Sequence, residues 1–246
     1  MKILITNDDG IFSEGIKALA ESLSSLGEVW VVAPDGERNA ISHALTLHRP
    51  LRIVDFSRHH YAVNGTPSDC VNIGVNFLLK EKPGLIASGI NRGGNLGDDI
   101  NYSGTVAAAV EGTLMGIPSF AISLAAEKDF KFRPAADFAL RLARFITEKG
   151  LPDRTLLNVN VPDTAGREIS LYKITTQGKN THNNIVVEKI DPRGVKYYWI
   201  GRKDEGFEDD DTSDLKAISQ RLISITPLQV DLTHYTSFKA LLKWNL

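Results

Sequence analysis

Lys2-Ile3-Leu4-Ile5-Thr6-Asn7-Asp8-Asp9-Gly10, near the head of a 246-residue chain, is a short apolar run cut off by two carboxylates and a glycine. It is too short for the apolar region of a signal peptide and reads as a buried strand over 2–6 that ends in a turn. A helix over 15–26 follows, with Ile16, Leu19, Leu23 and Leu26 on one face, and then a strand over 28–33. The alternation continues outward: strands over 85–88, 119–123 and 155–161, and helices over 68–79, 105–115 and 134–148. Strands and helices in this order predict an α/β fold, a Rossmann-like and mostly parallel sheet covered on both faces. Such sheets take their ligands at the carboxyl ends of the strands.

Beyond residue 161 the pattern changes, because strands over 169–174, 185–190 and 195–200 follow one another without helices between them. Asp191-Pro192-Arg193-Gly194 joins the last two and predicts a projecting β-hairpin, since proline fixes φ and glycine tolerates a positive one. From Asp204 to Asp214 there are seven acidic residues and no basic one, the composition of a solvated loop. A strand over 222–225 returns, and the tail carries Phe238, Leu241, Leu242 and Trp244. The expected layout is one domain over 1–246: an α/β core over 1–180, a hairpin extension with its acidic loop over 181–212, a returning helix and strand over 213–226, and a C-terminal segment over 227–246. That segment has no helical cover within one subunit, so it is expected to mediate self-association.

Composition narrows the function. Hydrophobic residues make up 42% and charged residues 24%, ordinary for a chain that folds by itself. Twenty-eight basic against 30 acidic residues leave a net charge of −2, so nothing draws the whole molecule to nucleic acid or to an anionic membrane. No stretch approaches a membrane span. The single cysteine, Cys70, excludes an internal disulfide and suits a reducing, cytoplasmic compartment; its place in an apolar helical pattern makes it a core residue.

Asp8 and Asp9 stand where the first strand ends. Adjacent carboxylates repel, and a divalent cation converts that repulsion into coordination; hard oxygen donors favour magnesium, manganese or calcium over zinc. The same tetrapeptide, Asn7-Asp8-Asp9-Gly10, also suits a surface turn with a helix cap. A second polar loop, from Ser88 to Asp99, has four glycines between Gly89 and Gly97 and offers the amides of Asn91 and Asn95. It matches neither a Walker loop nor a dinucleotide fingerprint, and a tight connection explains it equally well. Tyr102-Ser103-Gly104-Thr105 reads as a helix N-terminus, either a plain cap or a cradle for an anion. After the second strand, Arg38 offers a charge to phosphate, Asn39 an oxygen to a metal, and His43 the hydrogen bonds of a structural histidine.

Taken together and in order, these segments resemble the SurE family, the survival protein E nucleotidases. The resemblance is carried by Ile5-Thr6-Asn7-Asp8-Asp9-Gly10, Ala33-Pro34-Asp35, Ser42-His43, Asn64-Gly65-Thr66-Pro67-Ser68-Asp69-Cys70, Ser88-Gly89-Ile90-Asn91, Asn95-Leu96-Gly97-Asp98-Asp99, Tyr102-Ser103-Gly104-Thr105, Asp191-Pro192-Arg193-Gly194 and Ser224-Ile225-Thr226-Pro227. It implies a phosphatase that depends on one divalent ion per subunit, magnesium or manganese, with calcium able to occupy the site. The substrates implied are nucleoside 5′-monophosphates, with 3′-monophosphates and short polyphosphate as further ones. The metal ligands implied are Asp8, Asp9, Asn39 and Asn91; many members carry serine where this chain has Asn39. The resemblance further implies a C-terminal segment exchanged between subunits, in homodimers that can pair into tetramers.

A cation on Asp8, Asp9, Asn39 and Asn91 would lower the pKa of a bound water and neutralise charge on a phosphate, while Asn95, Ser103, Gly104 and Thr105 would hold the other phosphate oxygens. Catalysis is thereby expected of Asp8, Asp9, Asn95 and Ser103, with the hydroxyls of Ser103 and Thr105 facing phosphate and not the cation. The rival chemistry is a phosphate ester formed on Asp8, as in aspartate phosphatases, whose Asp-x-Asp spacing this chain lacks. The rival function is a non-catalytic nucleotide or metal sensor.

Overall fold

The computed structural model describes residues 1–180, 183–203 and 206–244. The first two acidic residues of the 204–214 run and the last two residues of the tail therefore lie outside the described residues. In chain order the elements are β1 (Lys2–Thr6), α1 (Glu14–Leu23), β2 (Glu28–Pro34), β3 (Ile53–Ser57), β4 (His60–Val63), α2 (Pro67–Ile73), β5 (Leu85–Arg92), α3 (Gly104–Leu114) and β6 (Ser119–Ala125). Then come α4 (Arg133–Lys149), β7 (Thr155–Pro162), β8 (Tyr172–Ile174), β9 (Asn183–Ile190), β10 (Lys196–Lys203), α5 (Asp214–Ser219), β11 (Ile223–Gln229) and α6 (Tyr235–Leu241).

Nine strands form one sheet in the order β3-β4-β2-β1-β5-β6-β7-β11-β8. From β4 to β7 every neighbouring pair is parallel, as the alternation predicts, while β3 and β11 run against β4 and β7. Successive side chains of β1 point to opposite faces. Ile3 and Ile5 join the core beneath α1 and α4, with Leu19, Leu23, Phe138 and Ile146. Leu4 enters the second core with Val32, Cys70, Ile86 and Ala108, beneath α2 and α3. Each fully buried aliphatic side chain of this kind stabilises the fold by about 1.5–3 kcal/mol. Cys70 is completely buried, as its position in the helical pattern predicts.

Several boundaries differ from the sequence reading. The helix over 68–79 stops being α-helical at Ile73 and continues as one wider π-helical turn over Gly74–Leu78, closed by the Leu79 N–H on the Gly74 carbonyl at 3.0 Å. The hairpin of β3 and β4 is absent from the sequence reading. Strand β5 runs on to Arg92, beyond the expected 88, which places Asn91 on the sheet itself; its register on β6 slips between Ser88 and Asn91. Strand β8 keeps only three of the residues expected over 169–174. Strand β11 continues through the expected boundary at 227 to Gln229, with Pro227 opposite Leu157.

Strands β9 and β10 form a separate two-stranded sheet whose turn is closed by the Gly194 N–H on the Asp191 carbonyl at 3.0 Å. Trp199 and Ile200 on it are exposed. No residue of α6 is buried, so Phe238, Leu241, Leu242 and Trp244 find no cover within their own chain. Among the described residues no helix is long and apolar enough to cross a membrane.

Candidate active site

The loops after β1, β2 and β5 open on one edge of the sheet because those strands are parallel neighbours. Strand β1 ends at Thr6. The Asn7 amide then closes the turn by donating to the Gly10 carbonyl at 3.1 Å and to the Ser13 hydroxyl at 2.8 Å, and Ser13 caps α1. Gly10 adopts φ +95, a conformation that L side chains resist, and this lets the chain double back after the two carboxylates.

The turn sends the carboxylates to different partners. Asp8 is buried against the first residues of α3: the Thr105 N–H donates to Oδ2 at 3.1 Å and the Thr105 hydroxyl donates to Oδ1. Asp9 accepts the Arg92 N–H from the end of β5 at 3.2 Å. Gly104 makes the approach of α3 possible, since a Cβ there would lie 2.9 Å from the Cβ of Asp8 and 3.2 Å from Ile41. Burial lifts the Asp8 carboxyl above its ordinary range, with the Thr105 hydroxyl pulling it back. Burial, and next the charge of Asp8, push Asp9 up to about 6. Glu37 adds a smaller upward push on both.

Two buried carboxylates, one raising the proton affinity of the other, fit a cation. Among the described residues no three His, Cys, Asp or Glu side chains gather into a metal site. An ion here would complete its shell with amide and water oxygens, the preference of magnesium, manganese or calcium. Asn91 is suited to supply one: its amide nitrogen donates to the Gly93 carbonyl at 2.9 Å, which turns Oδ1 the other way. Asn39, in the loop after β2, is exposed, and its amide donates to Glu37 Oε1 at 2.9 Å. Arg38 is held by Asp35 at 2.6 Å, while its N–H donates to the Asp8 carbonyl at 2.8 Å.

The model of the family described as Survival protein SurE matches residues 3–184. The chain belongs to the SurE family. It is 54% identical to the 5′-nucleotidase SurE of Geotalea uraniireducens over the whole of both chains. To the Geobacter sulfurreducens protein of the same name it is 53% identical, over all of this chain and 94% of that one. The crystal structure of the SurE protein from Aquifex aeolicus superposes with a TM-score of 0.88 at 42% identity, covering 98% of each chain.

Within this SurE chain, Ser103 caps α3, its Oγ accepting the Val106 N–H at 3.1 Å, so its hydroxyl hydrogen is left to donate elsewhere. Thr105 departs from expectation: its hydroxyl is fully buried and donates to Asp8, so it supports a carboxylate and does not face a phosphate. Asn95 is clamped from several sides. Its N–H donates to Asn160 Oδ1 at 2.8 Å, its carbonyl accepts from the amides of Asn158 and Asn160 at 2.8 and 3.0 Å, and its own amide donates to the Ser123 hydroxyl at 2.8 Å. Asp214 holds the same loop through the Gly97 N–H at 3.0 Å. The sequence reading did not find these supports. The visible signal was Asn158 and Asn160, two residues apart in an otherwise apolar strand and thus on one face of it.

Proposed function

We propose that this chain is a divalent-metal-dependent 5′-nucleotidase, releasing inorganic phosphate from nucleoside 5′-monophosphates, with 3′-monophosphates and short polyphosphate as further substrates. The observation that carries the reading is the packing of Asp8 against Gly104 and Thr105 at the start of α3, with Asp9 next to it in sequence, in a chain more than half identical, end to end, to proteins named 5′-nucleotidase SurE. One magnesium or manganese ion per subunit, when bound by Asp8, Asp9 and Asn91 with Asn39 at the loop above, supplies Lewis acidity and an acidified water.

The chain's own residues supply the rest. The N-terminus of α3 turns the positive end of its dipole toward an anion, while its Thr105 and Val106 N–H groups are taken by Asp8 and the Ser103 hydroxyl. Ser103 adds a hydroxyl donor, and Asn95 keeps one amide hydrogen beyond its bond to Ser123. Held by Asn158, Asn160 and Ser123, Asn95 needs no reorganisation as charge builds on the phosphoryl oxygens. The apolar α6 and the β9–β10 sheet support a homo-oligomer, and the lone buried Cys70 supports a reducing, cytoplasmic setting. A panel of nucleoside 5′- and 3′-monophosphates and tripolyphosphate, assayed for phosphate release with Mg²⁺, Mn²⁺ or chelator, tests the reading. Metal-dependent release from 5′-monophosphates is expected. Nucleotide binding without turnover under every metal would make the protein a sensor instead.

A further inference from the structure

His43 lies outside the carboxylate site, yet it belongs to the segment that covers it. The loop after β2 touches Asp8 through the Arg38 N–H. It then crosses to the approach of α3, where the Ser42 N–H donates to the Tyr102 carbonyl at 3.1 Å and the Ser42 hydroxyl to the Asn101 carbonyl at 2.7 Å. Ala40 and Ser42 hold positive φ values of 51° and 55°, which side chains adopt only where the surroundings fix them. On its far side the Ala44 carbonyl accepts the Thr66 hydroxyl at 2.7 Å and the Thr46 N–H donates to Asp69 Oδ1 at 2.9 Å, and nearer the site the stretch is fixed by a three-residue contact. His43 Nε2 lies 2.6 Å from Glu111 Oε2 on α3, and Glu111 Oε1 accepts the Asn72 amide of α2 at 2.7 Å. Glu111 is 8% exposed. An ionised carboxylate only accepts, so His43 and Asn72 supply the donors it needs, and the His43 bond is the main reason its proton affinity is lowered against the effect of burial.

We propose that His43 is a positioning residue for phosphate-ester hydrolysis: bonded to Glu111, which Asn72 orients, it pins the loop that carries Arg38 and Asn39 between Asp8 and the approach of α3. Glu111 and Asn72 stand on the two helices beneath the loop and leave the reacting atoms to others. The inference rests on the nucleotidase reading for its kinetic consequence, while the mechanical consequence stands apart from it. Releasing the clamp lets the loop shift against Asp8, whose carbonyl accepts the Arg38 N–H, and so moves a group that a phosphate ester would be placed against. A displacement of an ångström in such a group is enough to lower turnover substantially.

The test compares wild type, His43→Ala, His43→Gln, Glu111→Ala and the His43→Ala/Glu111→Ala double variant, all as full chains with saturating Mn²⁺. Two readouts are taken: steady-state hydrolysis of a nucleoside 5′-monophosphate, and tryptic cleavage after Arg38. His43→Ala should lower kcat/KM about tenfold, mainly through KM, and speed cleavage after Arg38 by a similar factor. His43→Gln, whose amide can still donate to Glu111, should recover most of both. The double variant should be no worse than the worse single one, because both remove the same contact. A lowered melting temperature fits any structural role and decides nothing here, which is why the glutamine rescue and the KM-against-kcat split are measured. If the wild type shows no metal-dependent hydrolysis, the nucleotidase reading fails and cleavage after Arg38 alone judges the clamp. An active wild type with His43→Ala unchanged within twofold in KM and in cleavage overturns the proposal. Fully multiplicative effects in the double variant overturn it as well.

Discussion

Thr105 grips Asp8 twice, its backbone N–H on one carboxylate oxygen and its hydroxyl on the other, across 97 residues of sequence. The helix that would greet an anion is thereby tied to the carboxylate that would hold the cation. Two of the roughly four lone-pair sites of Asp8 are spent on Thr105, which fixes the direction in which the rest can point. Metal and phosphate are thus to be held by parts that move as one body.

It follows that Thr105→Val, which keeps the shape of the side chain and removes the donor, should weaken binding of Mn²⁺ in the absence of substrate. Loss of such a supporting hydrogen bond typically costs 10- to 100-fold in metal affinity or activity. Thr105→Ser should stay close to wild type. Calorimetric titration with Mn²⁺ decides it: a valine variant that binds as tightly as wild type would show that the contact does not tune the site.

Asp9 carries a pH signature. Its carboxyl is raised from an ordinary 3.8 to about 6, so between those values the folded chain holds a proton that the unfolded chain releases. Stability of the metal-free protein should therefore fall as pH rises from about 4 through 6 and stay reduced above it. Asp9→Asn should flatten that slope and raise the melting temperature at pH 7 in chelator, while abolishing the stabilisation that Mn²⁺ gives the wild type. Melting curves against pH, with and without metal, test the sign; a variant with an undiminished pH slope would mean that another group is responsible.

The parallel centre of the fold was legible because its strands are apolar runs that stop at polar, glycine-bearing loops, as Ile3-Leu4-Ile5 does at Asp8-Asp9-Gly10. The β3–β4 hairpin was not, because its turn falls at Arg58-His59, with His59 at φ +66 where sequence signals lead one to look for glycine or asparagine. The π-helical turn after Ile73 was hidden as well. It begins at Gly74, which packs on the second core so closely that a Cβ there would lie 2.9 Å from Leu4, a contact with no local signature. At the site, Asp8, Asp9, Asn91 and Ser103 could be picked out because strand ends and helix caps are local features. The bonds that orient them, from Thr105 to Asp8 and from Asn160 to Asn95, join distant segments and have no local signature.

Ser103 should show two losses in one variant. Its Oγ accepts the Val106 N–H, and its hydrogen is free for a phosphate oxygen. Ser103→Ala should cost about 1 kcal/mol of stability as a lost cap. It should also lower kcat/KM by roughly 10- to 150-fold, the value of one hydrogen bond to a charged group. Inhibition by inorganic phosphate should weaken in step, with Mn²⁺ affinity unchanged. A stability loss with normal kinetics would reduce Ser103 to a cap.

The last prediction concerns the tail, and the extent of β11 sets where to cut. Residues up to Gln229 pair with β7, and Val230 still packs beside Ile100 and Val106, so removing everything after 227 would damage the sheet itself. Beyond that point Leu232 is 93% exposed and Leu242 69%, and no side chain of α6 is buried. Apolar side chains in such a run lower their free energy only by meeting another surface. The full-length chain should therefore be a homo-oligomer, and a chain ending at Val230 should keep its sheet and its far-ultraviolet spectrum while running as a monomer in light scattering. A shortened chain that remains oligomeric would move the interface to the β9–β10 sheet, where Trp199 and Ile200 are also open. A monomeric full-length chain would remove the argument for self-association altogether.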